Sequence, residues 1–576
     1  VFSKDSDGLV HAQSLLETIA RSFLRGSAHG NREARNRLGD ELVEVTKRLP
    51  LQERVKLAQS IPSIVAVFPP EARSNFDSFL DAALEAAEET KPQGGDSAVS
   101  PPSAPASSES AAQPRRWRPA TIRRLPRVRT VAVLAVLAVM VVLQQGRDDR
   151  TPTAAVPARH FETPVAGQLP TLLAGEQTIA VSVDDGHGGY RRQYPKGRVY
   201  ATVTGFTSSI EANGLDAWLR ERGDADPGAF SGERPVHTTV VPAVQEAAVR
   251  GLGSVSGAVV AIDPATGHIL ALASAPGYDP NLLADPDTAA TASRSLHADV
   301  NKPLTDRATA GILAAPGEVF EVVTAAAALS TGAFTADTQL PGSAALALPG
   351  TTARLANRGN QACSGTGVTS LADALRTSCT TAFAGLGMTL GGQALREQAE
   401  AFGIGPPRRI PVEVQASSFP QVMSQREVAW AAVGGFDVRI TPLQLAMIGS
   451  GIANQGKVTV PTLLADHVGE PSGPPGTLTA TTPEVAGALA AMMRGAVVSG
   501  PAQDLAIPGL SVAGLLGDSP AGSTGVTWAT AFSSAGGRSI AVAVALETHD
   551  NQTLSARAAA VAREVIRAGL EVDARS

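Results

Sequence analysis

Aromatic side chains are scarce: Phe, Trp and Tyr together make up 4% of the 576 residues. A core must therefore be packed from small and aliphatic side chains, and the 43% apolar content is enough to supply one. Cysteine is scarcer still. Cys363 and Cys379 stand sixteen residues apart, outside any Cys-x-x-Cys pattern, which argues against zinc. The nine histidines form no HxH or HExxH pair. No metal site and no cofactor are expected. An excess of positive charge is also lacking: the net charge of −6 argues against a nucleic-acid binder. No short-period repeat is evident.

What is present is spread over a chain too long for one ordinary domain. Residues 1–90 carry apolar residues at three-and-four spacing in several stretches, such as "ARNRLGDELVEVTKRL", and predict an all-helical module without a catalytic motif. Pro50 and Pro70 fall near helix starts, where proline is accommodated. Residues 91–129 begin as a Pro/Ser/Ala-rich linker, expected to be disordered, and end in "RRWRPATIRRLPRVR" with seven arginines. An uncharged apolar run follows from Thr130 to about Leu143. About twenty residues normally cross a bilayer, but flanking arginines can snorkel and make up for a short span. Residues 130–144 are therefore read as a single transmembrane helix. The arginine asymmetry puts the N-terminal module in the cytoplasm and the rest outside it. So long a preceding stretch argues against a cleaved signal peptide. The outer compartment is oxidising, which leaves Cys363 and Cys379 open to bonding or to burial as thiols.

Beyond the span, residues 145–166 read as a Pro-rich stalk and 167–249 as a small mixed domain. "YPKGRVYATVTGF" (Tyr194 to Phe206) reads there as strands, from its β-branched residues and glycine turns. Residues 250–572 read as a larger domain. "SGAVVAIDPATGHILALAS" and "TWATAFSSAGGRSIAVAVAL" each read as a hairpin of apolar strands, with Ala-rich helices between them and an amphipathic helix at the end. Strands at both ends with helices between predict an α+β domain whose central antiparallel sheet joins the N- and C-terminal segments.

One stretch in this domain is chemically odd. In "AAPGEVFEVVTAAAAL" (residues 314–329) a Pro-Gly turn leads into Glu318 and Glu321, three apart and so on one helical face. Acids in a first turn interact favourably with the helix dipole, by about 0.3–1 kcal/mol.

Several segments, in order, resemble class B penicillin-binding proteins, in particular their actinobacterial PbpA-like group. "GAVVAIDPATGHILALASAPGYDPN" is similar to the family's opening hairpin, and "YPKGRVYATVTGF" to part of its N-terminal pedestal. "GGFDVRITPLQLAMIGSGIANQGKVTVPTLL" is similar to its Thr-Pro-Leu-Gln segment, and "TWATAFSS" to its Trp-Phe strand. The resemblance runs from about Leu169 to Leu570. It implies the penicillin-binding transpeptidase fold and acyl transfer on peptidoglycan stem peptides through three motifs, Ser-x-x-Lys, Ser-x-Asn and Lys-Thr-Gly.

Carried over residue by residue, the motifs are degenerate. Glu318 stands at the nucleophile position and Glu321 at the base position. Ser378, Cys379 and Thr380 align with the second motif, so its serine remains and its asparagine is lost. Leu515, Leu516 and Gly517 align with the third, where only glycine survives. Relative to the family the pocket moves by roughly four charge units towards negative, which should repel a carboxylate ligand. Three readings of the glutamate pair stand: fillers of a vacated site facing water, a coupled pair binding a cation or cationic partner, or a glycosidase-like acid and base. Ser378 is a candidate replacement nucleophile, although no Lys or His lies near it in sequence. The resemblance also implies a Cys363–Cys379 disulfide bracing the cleft rim, worth about 3 kcal/mol in the chain-entropy model.

The expectation is a membrane-anchored pseudo-transpeptidase with a binding or regulatory role. The alternatives are an active DD-transpeptidase or carboxypeptidase with unorthodox residues, and a sensor that binds muropeptides without reacting. The resemblance implies a SEDS-type glycosyltransferase or another cell-wall synthesis protein as partner, with stem peptides as non-covalent ligands. Residues 1–90 are expected to face a cytoplasmic partner of unknown identity.

Overall fold

The computed structural model describes residues 159–160 and, with short internal gaps, 168–571. The expected helical module, linker, basic run and apolar span lie outside the described residues. Among the described residues no helix is long and apolar enough to cross a membrane.

The N-terminal part of the described chain mixes short strands and helices. Strands β1 (Leu172–Ala174), β2 (Gln177–Asp184), β3 (Tyr190–Gln193) and β4 (Val236–Thr238) form a sheet in the order β3-β2-β1-β4, parallel only between β1 and β4. Arg159–His160, inside the expected stalk, pair with residues 211–212 of a second small sheet.

The reading of Tyr194–Phe206 as strands is corrected. The chain makes a 3-10 turn at Gly197–Val199 and a one-turn helix at Ala201–Thr204, and only Phe206–Thr207 are extended. Tyr200 and Val203, three apart, are both buried, and the Tyr200 hydroxyl donates to Gln177 Oε1 at 2.7 Å. Helical spacing buries both side chains on one face, so tertiary packing overrides the β-branched composition.

Helix α1 (Pro242–Leu252) leads into the large domain. Its sheet contains β5 (Gly257–Ile262), β6 (Ile269–Ala275), β7 (Val512–Asp518), β8 (Val526–Ala535) and β9 (Arg538–Glu547). The order is β7-β8-β9-β5-β6, antiparallel throughout, so the C-terminal hairpin joins the N-terminal hairpin through β9 and β5. This is the expected α+β architecture. Helix α7 (Ser555–Glu571) packs on β8, β9 and α1, and helix α5 (Pro442–Ala453) packs on β5 and β9. With helices on both faces, β5 and most of β8 and β9 are buried residue after residue. That explains why they read as unbroken apolar runs rather than as alternating strands. The remaining helices used below are α2 (Glu321–Ser330), α3 (Leu371–Thr377), α4 (Thr380–Leu390) and α6 (Pro483–Ser499).

Candidate functional site

The Pro316-Gly317 turn sets the first motif position. Gly317 has φ +58°, and a Cβ there would lie 2.0 Å from the Asp518 carbonyl oxygen, so only glycine fits between this turn and the end of β7. The Gly317 N–H donates to the Gly434 carbonyl at 3.1 Å. From the other side the indole of Trp528 on β8 donates to the Ala315 carbonyl at 3.0 Å. A 3-10 turn over Gly317–Phe320 then feeds α2, whose Thr324 hydroxyl donates to Ala432 O at 2.7 Å.

Glu318 and Glu321 leave this turn into different surroundings. Glu318 Oε2 accepts the Asp518 amide N–H at 2.9 Å, and its Oε1 lies 3.6 Å from Arg358 Nη2. Glu321 is 0% exposed, and among the described residues neither carboxyl oxygen has a hydrogen-bond partner. Burial, reinforced by the negative charge of Glu318, pushes the Glu321 carboxyl well above the usual carboxylate range. The reading of both acids as water-facing fillers therefore fails at Glu321. A first-turn acid gains from the dipole only while ionised, and burial of a carboxylate costs far more than that gain.

The third motif lies on β7. Leu515 pairs with Thr530, Leu516 with Ala529 and Gly517 with Trp528. Both leucines are buried. Gly517 is retained because a Cβ there would sit 2.9 Å from the Val319 nitrogen and 3.1 Å from Glu318 Oε2. Asp518 follows it. Its Oδ1 accepts the Thr527 hydroxyl at 2.6 Å, and its Oδ2 accepts from Arg358 Nη2 at 2.8 Å.

The second motif occupies the junction of α3 and α4. Ser378 ends α3 in the left-handed region, with φ +53°. Among the described residues its hydroxyl has no hydrogen-bond partner, so no base is in place to activate it. Cys379 is buried and bonded to Cys363, with an S–S distance of 2.05 Å. Thr380 opens α4, its amide bonded to the Ser378 carbonyl at 3.1 Å.

The loop at 357–363 ties these three positions together. The Asn357 side chain accepts from Thr381 N at 2.9 Å and donates to Ser343 O and Gln361 O, each at 2.9 Å. Cys363 in the same loop carries the disulfide to the second motif. Arg358 reaches Glu318 of the first and Asp518 beside the third. Partial burial works to lower the Arg358 guanidinium, but the charge of Glu318 and the hydrogen bond to Asp518 outweigh it and leave the group raised. Arg358 and Asp518 did not figure among the sequence candidates, because neither belongs to a motif triplet. Among the described residues no group of three or more His, Cys, Asp or Glu side chains is arranged to hold a metal ion.

Residues 257–567 match the family model of the penicillin-binding protein transpeptidase domain, and residues 171–221 match that of the penicillin-binding protein A dimerisation domain. The chain is 38% identical over 443 residues to the peptidoglycan D,D-transpeptidase PbpA of Mycobacterium tuberculosis, covering 69% of this chain and 88% of that one. The crystal structure of PBPA from M. tuberculosis superposes with a TM-score of 0.62 at 36% identity, over 70% of this chain and 99% of that one. The D,D-transpeptidase domain of a peptidoglycan glycosyltransferase from Eggerthella lenta gives a TM-score of 0.62 at 28% identity, over 71% and 100%. With its sheet order and these likenesses in agreement, the chain belongs to the penicillin-binding protein transpeptidase family, in its class B branch.

Proposed function

We propose that this chain is a penicillin-binding protein of peptidoglycan synthesis that keeps the transpeptidase fold, has lost acylation, and acts by binding or regulation. The observation that carries this reading is the Glu318 carboxylate, which stands at the nucleophile position and accepts the Asp518 amide. A carboxylate is a weak nucleophile towards an amide, and the product of its attack would be a labile anhydride. The Asp518 N–H is the donor best placed to stabilise an oxyanion formed at residue 318, and an anion already occupies it. Loss of the nucleophile in a serine acyl-transfer site costs about 10⁶-fold in turnover. Glu321, fully buried, and Leu515 offer no ammonium in its support.

The M. tuberculosis relative provides the contrast, because its structures include acyl-enzyme complexes with ceftriaxone, imipenem and penicillin G. Under our reading the apolar run at 130–144 anchors this chain, with residues 1–90 cytoplasmic and the domain from about residue 250 outside. Its partner is then a SEDS-type glycosyltransferase or another cell-wall synthesis protein, and any contact with stem peptides is non-covalent.

Intact-mass spectrometry of the purified full chain after exposure to penicillin G tests the reading, with M. tuberculosis PbpA as the positive control. The expected result is an adduct on the control and an unchanged mass for this chain. A stable adduct here refutes the reading, and peptide mapping to Ser378 would identify the replacement nucleophile.

A further inference from the structure

We propose that the loop at 358–367 is a redox-released flap beside the cleft, latched by the Cys363–Cys379 disulfide and freed by a dithiol reductant. The loop has little packing to hold it. None of its ten residues is buried, and among its side chains only Cys363 packs against the apolar core. Segments of this kind open locally far more readily than core strands do. Five of the ten residues are left-handed, Asn360 at φ +53° and Ser364 at φ +82° among them. Non-glycine residues keep that conformation only where their surroundings impose it, and Ser364 directly follows Cys363.

Backbone bonds, an ion pair and the disulfide tie the loop down. The Cys363 N–H donates to Gly342 O, and the Gly342 N–H donates to Gly367 O, each at 2.8 Å. Arg358 meets Asp518 and Glu318, but its side chain is 64% exposed. In the chain-entropy model a cross-link closing a loop of this length restrains opening on the order of a hundredfold, whereas an exposed ion pair contributes at most about fivefold. The disulfide therefore decides how often the flap lifts, and Arg358 is the weaker hold that remains after reduction. Lifting draws the Arg358 guanidinium away from Glu318 and Asp518 and uncovers the first motif position.

The two sulfurs are not equally placed. Cys379 is 1% exposed, whereas Cys363 is only partly buried. A thiolate of the reductant accordingly attacks Cys363 Sγ, and Cys379 leaves as the first thiol. The second thiol of the reductant then attacks the mixed disulfide and releases Cys363. The Asn357 amide nitrogen, 3.1 Å from Cys363 Sγ, is a donor to the thiolate released in that step. Two electrons and two protons pass to the cysteine pair, and the reductant ends as a disulfide. The inference stands apart from the non-acylating reading, since the loop is fastened in the same way whether or not the cleft reacts.

The test is native-state hydrogen exchange of the full chain in detergent, with and without dithiothreitol, read by mass spectrometry at peptides containing Gly342 and Cys363. Reduction should speed exchange there on the order of a hundredfold. Small additions of urea should hardly change the reduced rate, because a local opening exposes little surface. The double variant Cys363→Ser, Cys379→Ser should match the reduced protein and ignore dithiothreitol. In the reduced protein, Arg358→Ala should add about a two- to fivefold increase. Exchange unchanged by reduction overturns the proposal. So does a urea dependence equal to that of peptides from β8 and β9, since the loop would then open only with the whole domain. No effect of Arg358→Ala after reduction overturns its role as the remaining hold.

Discussion

Glu321→Gln should make the protein's stability less sensitive to pH, in a direction and with a slope that follow from burial. The Glu321 carboxyl is fully buried and has no hydrogen-bond partner among the described residues, and both burial and the Glu318 charge favour its protonated form. In the unfolded chain the same group titrates near the ordinary glutamate value of about 4.3. Above that pH the unfolded state gives up a proton that the folded state keeps, so stability must fall as pH rises. The contribution is fully present below about pH 4.3. It declines by about 1.4 kcal/mol per pH unit until the pH passes the raised folded-state value. Glutamine copies the shape and neutrality of the protonated acid. The two proteins should therefore unfold alike near pH 4, and the variant should pull ahead by about 1.4 kcal/mol for each unit gained. Urea unfolding at half-unit steps from pH 4 to 7, followed through tryptophan emission, measures this. Trp528 is buried and bonded to Ala315, three residues before Glu318, so it reports on the right region. Parallel curves for the two proteins would mean that Glu321 is ionised or solvated when folded, and would refute the reasoning.

Gly317→Ala should cost more than the about 1–3 kcal/mol typical of a non-glycine residue at positive φ, because its Cβ would also meet Asp518 O at 2.0 Å; a thermal melt near that of the wild type would contradict the turn geometry. Replacing both cysteines by serine should lower stability by about 3 kcal/mol, read by denaturant midpoint, and reducing agent should then leave the variant's midpoint unchanged. Arg358→Ala should change stability by no more than about 1 kcal/mol, as expected for a largely exposed ion pair; a larger loss in low-salt melts would mark the loop contact as structural. Restoring Glu318→Ser, Glu321→Lys, Thr380→Asn and Leu515→Lys together should bring back penicillin labelling, while Glu318→Ser alone should not, as read by intact mass.

Much of the large domain could be read from the sequence because its central strands are buried on both faces. The runs at 257–262 and 538–547 are apolar nearly throughout, and the hairpins fall where their turns were expected. Glycines at 317 and 517 stand where the backbone makes close approaches that a Cβ would obstruct. Two other features were hidden from local reading. Strand propensity misled at Tyr194–Phe206, where packing of Tyr200 and Val203 decided the outcome. The exposure of Glu321 was misjudged because the dipole argument sees only its own helix, whereas burial comes from elements distant in sequence. Arg358 illustrates the same limit. It is forty residues from Glu318, and nothing in "NRGNQACSG" says which acids its guanidinium meets.

Side chains from three separate segments meet at the end of β7, and their contacts depend on one another. Glu318 would be an uncompensated negative charge at the end of β7, but the Asp518 amide and Arg358 both face it. Burial, and after it the charge of Glu318, favours the neutral form of the Glu321 carboxyl. Leu515 is buried on the edge strand β7 and fills its position with hydrocarbon. Asp518, next to the surviving glycine, then takes Arg358 and binds the loop at 357–363 to β7, while the disulfide binds the same loop to the second motif. The loop at 357–363 is thus tied to β7 by an ion pair and to the junction of α3 and α4 by a covalent bond, so loss of either contact should leave the other holding it.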